Sequence, residues 1–227
     1  METKPEILYE DNHILAVYKR AGLLVQGDIT GDKSLMDEVK EYLKEKHKKP
    51  GAVFLGLVHR LDRNVSGIVV FGKTSKGASR LSEQFRNNEI KKIYHAVVEG
   101  QIEPVKGKLV SYLKKDENNK IALVSDIPRE GYDESELYYE TVEASHGHSL
   151  IRIELKTGRF HQIRAQLSAI GHPVSGDKKY GSKDIFSDRS LALCATELIF
   201  KTATTGEIKD LKIDYPKEWN KLLRAVD

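Results

Sequence analysis

Apolar residues recur along this chain in short, β-branched blocks set apart by polar turns. Positions 7–9 and 14–18 read as strands bridged by the polar turn 10–13, after which 19–22 turn the chain into Leu23-Leu24-Val25. A helical period follows over 34–47. Ser34 is its cap, Asp37 stands in the capping-box position, and Leu35, Val39, Tyr42 and Leu43 share one face. A basic cluster at 46–51 ends it. The blocks 53–58 and 67–72 are apolar and predict two buried strands with a tight connection between them. Thr74 or Ser75 caps a second amphipathic helix with Ala78, Leu81 and Phe85 on one stripe. Next come a strand at 93–98, a hairpin of 108–113 with 120–124 around the polar turn 116–119, and a pair at 138–144 and 149–156. In the last of these Ile151, Ile153 and Leu155 alternate with Arg152, Glu154 and Lys156, which predicts one buried and one wet face. A third helical period covers 160–170 through Ile163, Leu167 and Ile170, and puts Arg164 near the boundary of the buried face. Strands at 191–200 and 208–215 flank the turn 204–207, and a short helix starts at Pro216. Many strands with a few inserted helices predict an α+β fold on a mostly antiparallel sheet.

The chain has 227 residues, 39% of them hydrophobic, enough for one domain over 1–227 with a real core. Charged residues make up 31%, yet the formal net charge is only +3, so affinity for a polyanion has to come from local clustering. Between 152 and 183 seven Lys and Arg face two acidic residues, whereas 130–143 carries six acidic residues and no Lys or Arg. One face is therefore expected to attract phosphate and another to repel it. A single cysteine, Cys194, excludes an intrachain disulfide and fits a reducing compartment. No apolar run approaches the ~20 residues of a membrane span, so the expected location is the cytoplasm.

The stretch His59-Arg60-Leu61-Asp62-Arg63-Asn64-Val65-Ser66-Gly67 sets one carboxylate between two guanidiniums just before an apolar strand. An acidic residue beside arginines is by default an ion pair. Here the turn at Ser66-Gly67 and the strand that follows place Asp62 on a loop at a sheet rim, where reactive side chains tend to sit. An ionised carboxylate held by a guanidinium acts as a nucleophile rather than a proton donor. His59, His161 and His172 lack the Cys or carboxylate partners of a zinc site.

Three separated blocks resemble the RluA-type RNA pseudouridine synthases in order and spacing. They are the 59–67 stretch, the block Lys92-Ile93-Tyr94-His95-Ala96-Val97-Val98-Glu99-Gly100, and Gly158-Arg159-Phe160-His161-Gln162-Ile163-Arg164 with its sequel at 171–173 and 176–181. Leu8-Tyr9-Glu10-Asp11 and Lys19-Arg20-Ala21-Gly22 resemble that family's opening block, so the likeness covers most of the chain. It begins almost at residue 1, which implies a catalytic domain with no small S4 domain in front.

The resemblance implies that Asp62 is the catalytic aspartate, that Tyr94 stacks on the target base, and that Arg164 pairs with Asp62 and orients it. Arg60 would fill the gap left by a flipped base. His59, Arg63, Arg159, His161, Gln162, Lys178, Lys179 and Tyr180 would contact the RNA. The implied fold is a long mixed, mainly antiparallel sheet with flanking helices and a basic central cleft. The implied substrate is a stem-loop of ribosomal or transfer RNA, acted on by a monomer without metal, organic cofactor, membrane or obligate protein partner. A silent RNA-binding protein and an N-glycoside hydrolase are the competing readings, and the absence of a second catalytic carboxylate disfavours the latter.

Four places depart from the family pattern: Arg20 stands where proline is common, Asn64-Val65 where Asp-Thr is, Gln166 where histidine is, and Cys194 follows Leu193 where histidine is common. Val65 lacks the hydroxyl a threonine would donate, so the loop holding Asp62 is expected to be supported differently.

Overall fold

The computed structural model describes residues 4–48 and 50–224; Lys49, part of the predicted basic helix end, lies outside the described residues. Among the described residues the fold is α+β, with a large mixed sheet and three α-helices. Its strands are β1 (Glu6–Glu10), β2 (Ile14–Lys19), β3 (Gly56–Leu57), β4 (Ser66–Gly72), β5 (Lys91–Glu99), β6 (Lys106–Asp116), β7 (Ile121–Ser125), β8 (Asp133–Ser145), β9 (His148–Leu155), β10 (Leu193–Lys201) and β11 (Ile208–Lys212). The helices are α1 (Leu35–Lys46), α2 (Ser75–Arg86) and α3 (Gln162–Ala169).

The chain divides into two compact units, residues 1–90 with 197–213, and residues 91–196 with 214–227. In the first, strands run in the order β1-β2-β4-β10, with β3 on β4 and β11 on β10. Strand β2 is antiparallel to both neighbours, Val17 lying opposite Ile7 and Val69. Ile14, Ala16, Ile68, Val70 and Leu81 form a core with Leu198, Phe200 and Ala203 from the far end of the chain. Helix α1 carries the predicted capping box: the Asp37 N–H donates to Ser34 Oγ, and the Ser34 N–H donates back to the Asp37 carboxylate at 3.0 Å. Thr74 caps α2. That helix packs so closely on β4 that a Cβ at Gly72 would lie 2.3 Å from the Ala78 nitrogen, so the position demands glycine.

In the second unit the order is β10-β5-β9-β8-β6-β7. The predicted hairpin is there, Leu113 lying opposite Val124, and the alternation in β9 buries Ile151, Ile153 and Leu155.

Several boundaries differ from the sequence reading. The strand predicted at 53–58 is only Gly56–Leu57, because these two residues alone pair with β4, while Phe54 is exposed. Strand β11 stops at Lys212 rather than at 215, since Tyr215 instead stacks on Trp219 in the short 3-10 helix Lys217–Lys221. Helix α3 is shorter than 160–170. His161 sits in the left-handed region at φ 53°, which blocks an earlier start, and Ile170 is exposed rather than on the buried stripe. Every residue of α3 from Gln162 to Leu167 is buried, Arg164 included. The acidic run in β8 is not a bare negative face: Glu136 and Glu140 pair with Lys108 and Lys106 of β6.

Candidate active site

Asp62 occupies the first position of a tight turn, closed by the Val65 N–H donating to the Asp62 carbonyl at 3.1 Å. The residue is half-buried, at the entrance to the fully buried strand β4. What fixes this turn is Lys19, the last residue of β2 and 0% exposed. Its ammonium donates to the carbonyls of Val65 (2.6 Å), Arg63 (2.8 Å) and Arg20 (3.1 Å). The Gly22 N–H adds a bond to the Arg63 carbonyl at 2.8 Å. A buried ammonium is tolerated where its donors are satisfied, and carbonyl oxygens oriented toward a cation are held firmly. The support that a threonine hydroxyl would give at position 65 thus comes from the backbone and a lysine.

The residues around Asp62 have tasks of their own. His59 Nε2 accepts from the Val70 N–H at 3.0 Å, and its ring stacks on Phe85 at 4.6 Å. Arg63 reaches the Gly22 carbonyl at 3.0 Å and Asp32 at 2.8 Å. Arg60 is exposed. Arg20, in the place where proline is common, pairs with the buried Glu38 of α1 at 2.6 Å.

In the second unit Tyr94 lies half-buried on β5, opposite Ile153 of β9. Arg164 is held by Asp177, which is 1% exposed: Nε donates to one carboxylate oxygen at 2.6 Å and Nη2 to the other at 2.9 Å. The guanidinium also lies 5.1 Å from the Tyr180 ring centre. Tyr180 is anchored in turn, its hydroxyl accepting from the Ala122 N–H at 2.6 Å and lying 3.0 Å from His161 Nδ1. Such a two-point grip sets the plane of a guanidinium as well as its position.

Gln162 is buried and committed to the protein. Its carbonyl oxygen accepts from Thr157 and from the Arg159 N–H, and its amide donates to Glu136 and Gln166. Gln166, where histidine is common, donates to Ser111 Oγ at 2.9 Å and to the Ser135 carbonyl. Arg159 reaches the Glu134 carbonyl and lies 3.6 Å from Asp133. Lys178 and Lys179 are exposed, and Lys179 touches the Lys120 carbonyl. Among the described residues no cluster of three or more His, Cys, Asp or Glu is arranged to hold a metal ion, and no helix is long and apolar enough to cross a membrane.

Residues 13–169, a span that runs from the first β-hairpin through the Asp62 turn and Tyr94 to α3, match the family model described as RNA pseudouridylate synthase. The chain belongs to that family. Pseudouridylate synthases are isomerases that act on RNA. The chain is 34% identical over 180 residues to the ribosomal large subunit pseudouridine synthase D of Neisseria meningitidis serogroup A, covering 78% of this chain and 46% of that protein. It is 31% identical to the tRNA pseudouridine synthase C of Vibrio cholerae, over 96% of this chain and 94% of that one. The chain thus spans about half of the first relative and nearly all of the second. Its fold matches the solved human RNA pseudouridylate synthase domain containing 4 with a TM-score of 0.79 at 22% identity, covering 96% of this chain and 92% of that one.

Two residues of this site escaped the sequence reading. Lys19 reads as the first residue of the turn 19–22, and Asp177 as one of two acids in a basic stretch. The available signal was that each sits next to a glycine-containing turn beside an apolar block.

Proposed function

We propose that this chain isomerises uridines in a stem-loop of ribosomal or transfer RNA to pseudouridine, with Asp62 as the catalytic carboxylate. The observation that carries the reading is the turn around Asp62, a half-buried carboxylate on a rim loop whose neighbouring carbonyls converge on one buried ammonium. A reacting group needs such a rigid platform, because small misplacements are costly in rate.

The reaction breaks the bond from C1′ of the ribose to N1 of uracil and joins C1′ to C5. C5 loses its proton and N1 gains one, so the base is rearranged without change in composition. In this reading Asp62 handles the sugar or base as the glycosidic bond breaks, Tyr94 stacks on the base, and Arg164 orients the Asp62 carboxylate. Asp177 holds the guanidinium of Arg164 through Nε and Nη2. Arg60, exposed beside the Asp62 turn, fills the space left by the extruded base. Extrusion costs roughly a few kcal/mol, and stacking on Tyr94 returns about 1–3 kcal/mol of it.

His59, Arg63, Arg159, His161, Gln162, Lys178, Lys179 and Tyr180 are assigned to the RNA-facing surface, a basic cleft. The internal bonds of His59 and Gln162 mean that they act by shaping it. The proposal takes 1–227 as one catalytic domain, working as a monomer in the cytoplasm; alignment of the Vibrio relative with 96% of this chain supports the first part.

RNA carrying tritium at uridine carbon 5 tests the reading. A synthase releases tritium and leaves the chain intact, a silent binder releases none, and a hydrolase frees uracil. Asp62→Asn is expected to abolish release while RNA affinity stays within about tenfold, because phosphate contacts supply most of it. Tritium release by that variant would remove Asp62 from the proposed role.

A further inference from the structure

Lys92 lies two residues before Tyr94 on β5 and is 9% exposed. The period of a strand puts the two side chains on one face, with Cα atoms about 6.6 Å apart. The Lys92 ammonium makes one long hydrogen bond, to the Lys156 carbonyl at 3.4 Å. Glu154, opposite Ile93 on the neighbouring strand, pairs with Lys91 and Lys156. Among the described residues no carboxylate pairs with Lys92. Burial, and then the charge of Lys156, pull its pKa down to about 8. An ammonium so placed lacks the anion that would compensate its lost hydration.

The flank of the exposed Gly158 is open beside it. Around a Cβ built on Gly158, the nearest atom is Lys92 Nζ at 4.0 Å, and it is the only one within that distance. Gly158 leads into Arg159, and the basic excess of 152–183 surrounds it in sequence. An anionic group can thus approach the ammonium along the side of the Gly158 backbone, where any other residue would put a side chain.

We propose that Lys92 and the open flank of Gly158 form a phosphodiester subsite, holding the RNA backbone phosphate next to the uridine whose base stacks on Tyr94. This rests on the reading of Tyr94 given above. The spacing of two strand residues suits the reach from a stacked base to its own phosphate. A cation at this point fixes the nucleotide by its backbone while the base is turned, without reading sequence.

The test uses the full chain and a short RNA hairpin with uridines in its loop. Lys92→Met is expected to bind roughly tenfold more weakly at low salt, and the slope of log affinity against log salt is expected to shrink by about 0.7–0.9, the contribution of one phosphate. Lys92→Arg is expected to keep the wild-type slope. Because Lys92→Met could disturb folding, the wild type is also reductively methylated with carbon-13 formaldehyde and followed by NMR at about pH 8. Added hairpin is expected to move the Lys92 methyl signal to its fully protonated position. An unchanged slope in folded Lys92→Met, or an unmoved Lys92 signal in hairpin-saturated wild type, overturns the proposal. Tritium release by the wild type is recorded in parallel, so loss of the isomerase reading is seen separately from loss of the phosphate subsite.

Discussion

Lys19 and Lys92 are both buried lysines, and their surroundings give them opposite roles. Lys19 has three carbonyl acceptors, and the turn of Asp62 is built on two of them. Lys19→Met keeps the shape of the side chain and removes the ammonium from those carbonyls, of which that of Arg63 keeps its bond from the Gly22 N–H. It is expected to lower unfolding stability in urea by roughly 2 kcal/mol. Turnover should drop by roughly ten- to a hundredfold through kcat, with KM little changed, since the carboxylate is displaced but the RNA contacts remain. Unchanged kcat in this variant would mean that the turn holds its shape without the ammonium. Neither lysine was legible as functional from the sequence. Strand β2 is buried on both faces, so alternation does not say which way Lys19 points, and two of its three acceptors lie 44 and 46 residues away.

At the scale of elements, α3 is tied to the segment that follows it by Arg164 and Asp177, both nearly inaccessible to water. Breaking a buried pair leaves one charge uncompensated, and Asp177→Asn is expected to cost about 3–5 kcal/mol in denaturant unfolding. In the fraction that stays folded, turnover should also fall, because the plane of the Arg164 guanidinium is no longer set by two bonds. A variant with wild-type stability would show that the pair contributes nothing net. The sequence foretold the elements best where local chemistry decides them, as in the Ser34 capping box, the Thr74 cap and the alternation of β9. It misplaced the ends of α3 because the left-handed His161, held by stacking on Phe160 and contact with Tyr180, interrupts an otherwise helical period. It overextended the strand at 53–58 because hydrophobicity does not reveal how far a pairing partner runs.

At the scale of the whole chain, Glu10 is a contributor to stability that acid removes. Glu10 on β1 accepts from Tyr42 and Lys46 of α1 at 2.8 Å each and from Lys73, just after β4, at 2.7 Å. Burial alone would raise its pKa, but the bonds from Lys46, Lys73 and Tyr42 outweigh it and hold it at about 2. The folded pKa lies below the unfolded one, so this contribution is full above about pH 4.5 and fades as pH falls toward 2. Wild type is expected to exceed Glu10→Gln in stability by on the order of 2 kcal/mol at neutral pH. The gap should close in acid titrations monitored by circular dichroism; a gap that persists to pH ~2 would contradict the linkage. The blocks that matched the family were visible because they are contiguous. The Lys19 clasp and the Arg164 grip were not, because folding alone makes their members neighbours.

The core of the first unit imposes an order on the life of the nascent polypeptide. Ile14, Ile68 and Leu81 leave the ribosome early, yet Leu198 and Phe200, which close that core, are made more than a hundred residues later. Until then an apolar sheet face waits uncovered, and domains with such distant pairings fold slowly and are vulnerable to aggregation. Translation must therefore pass residue 200 before this half of the molecule can become native, and a stop before residue 197 is expected to yield a sticky fragment rather than a smaller working one.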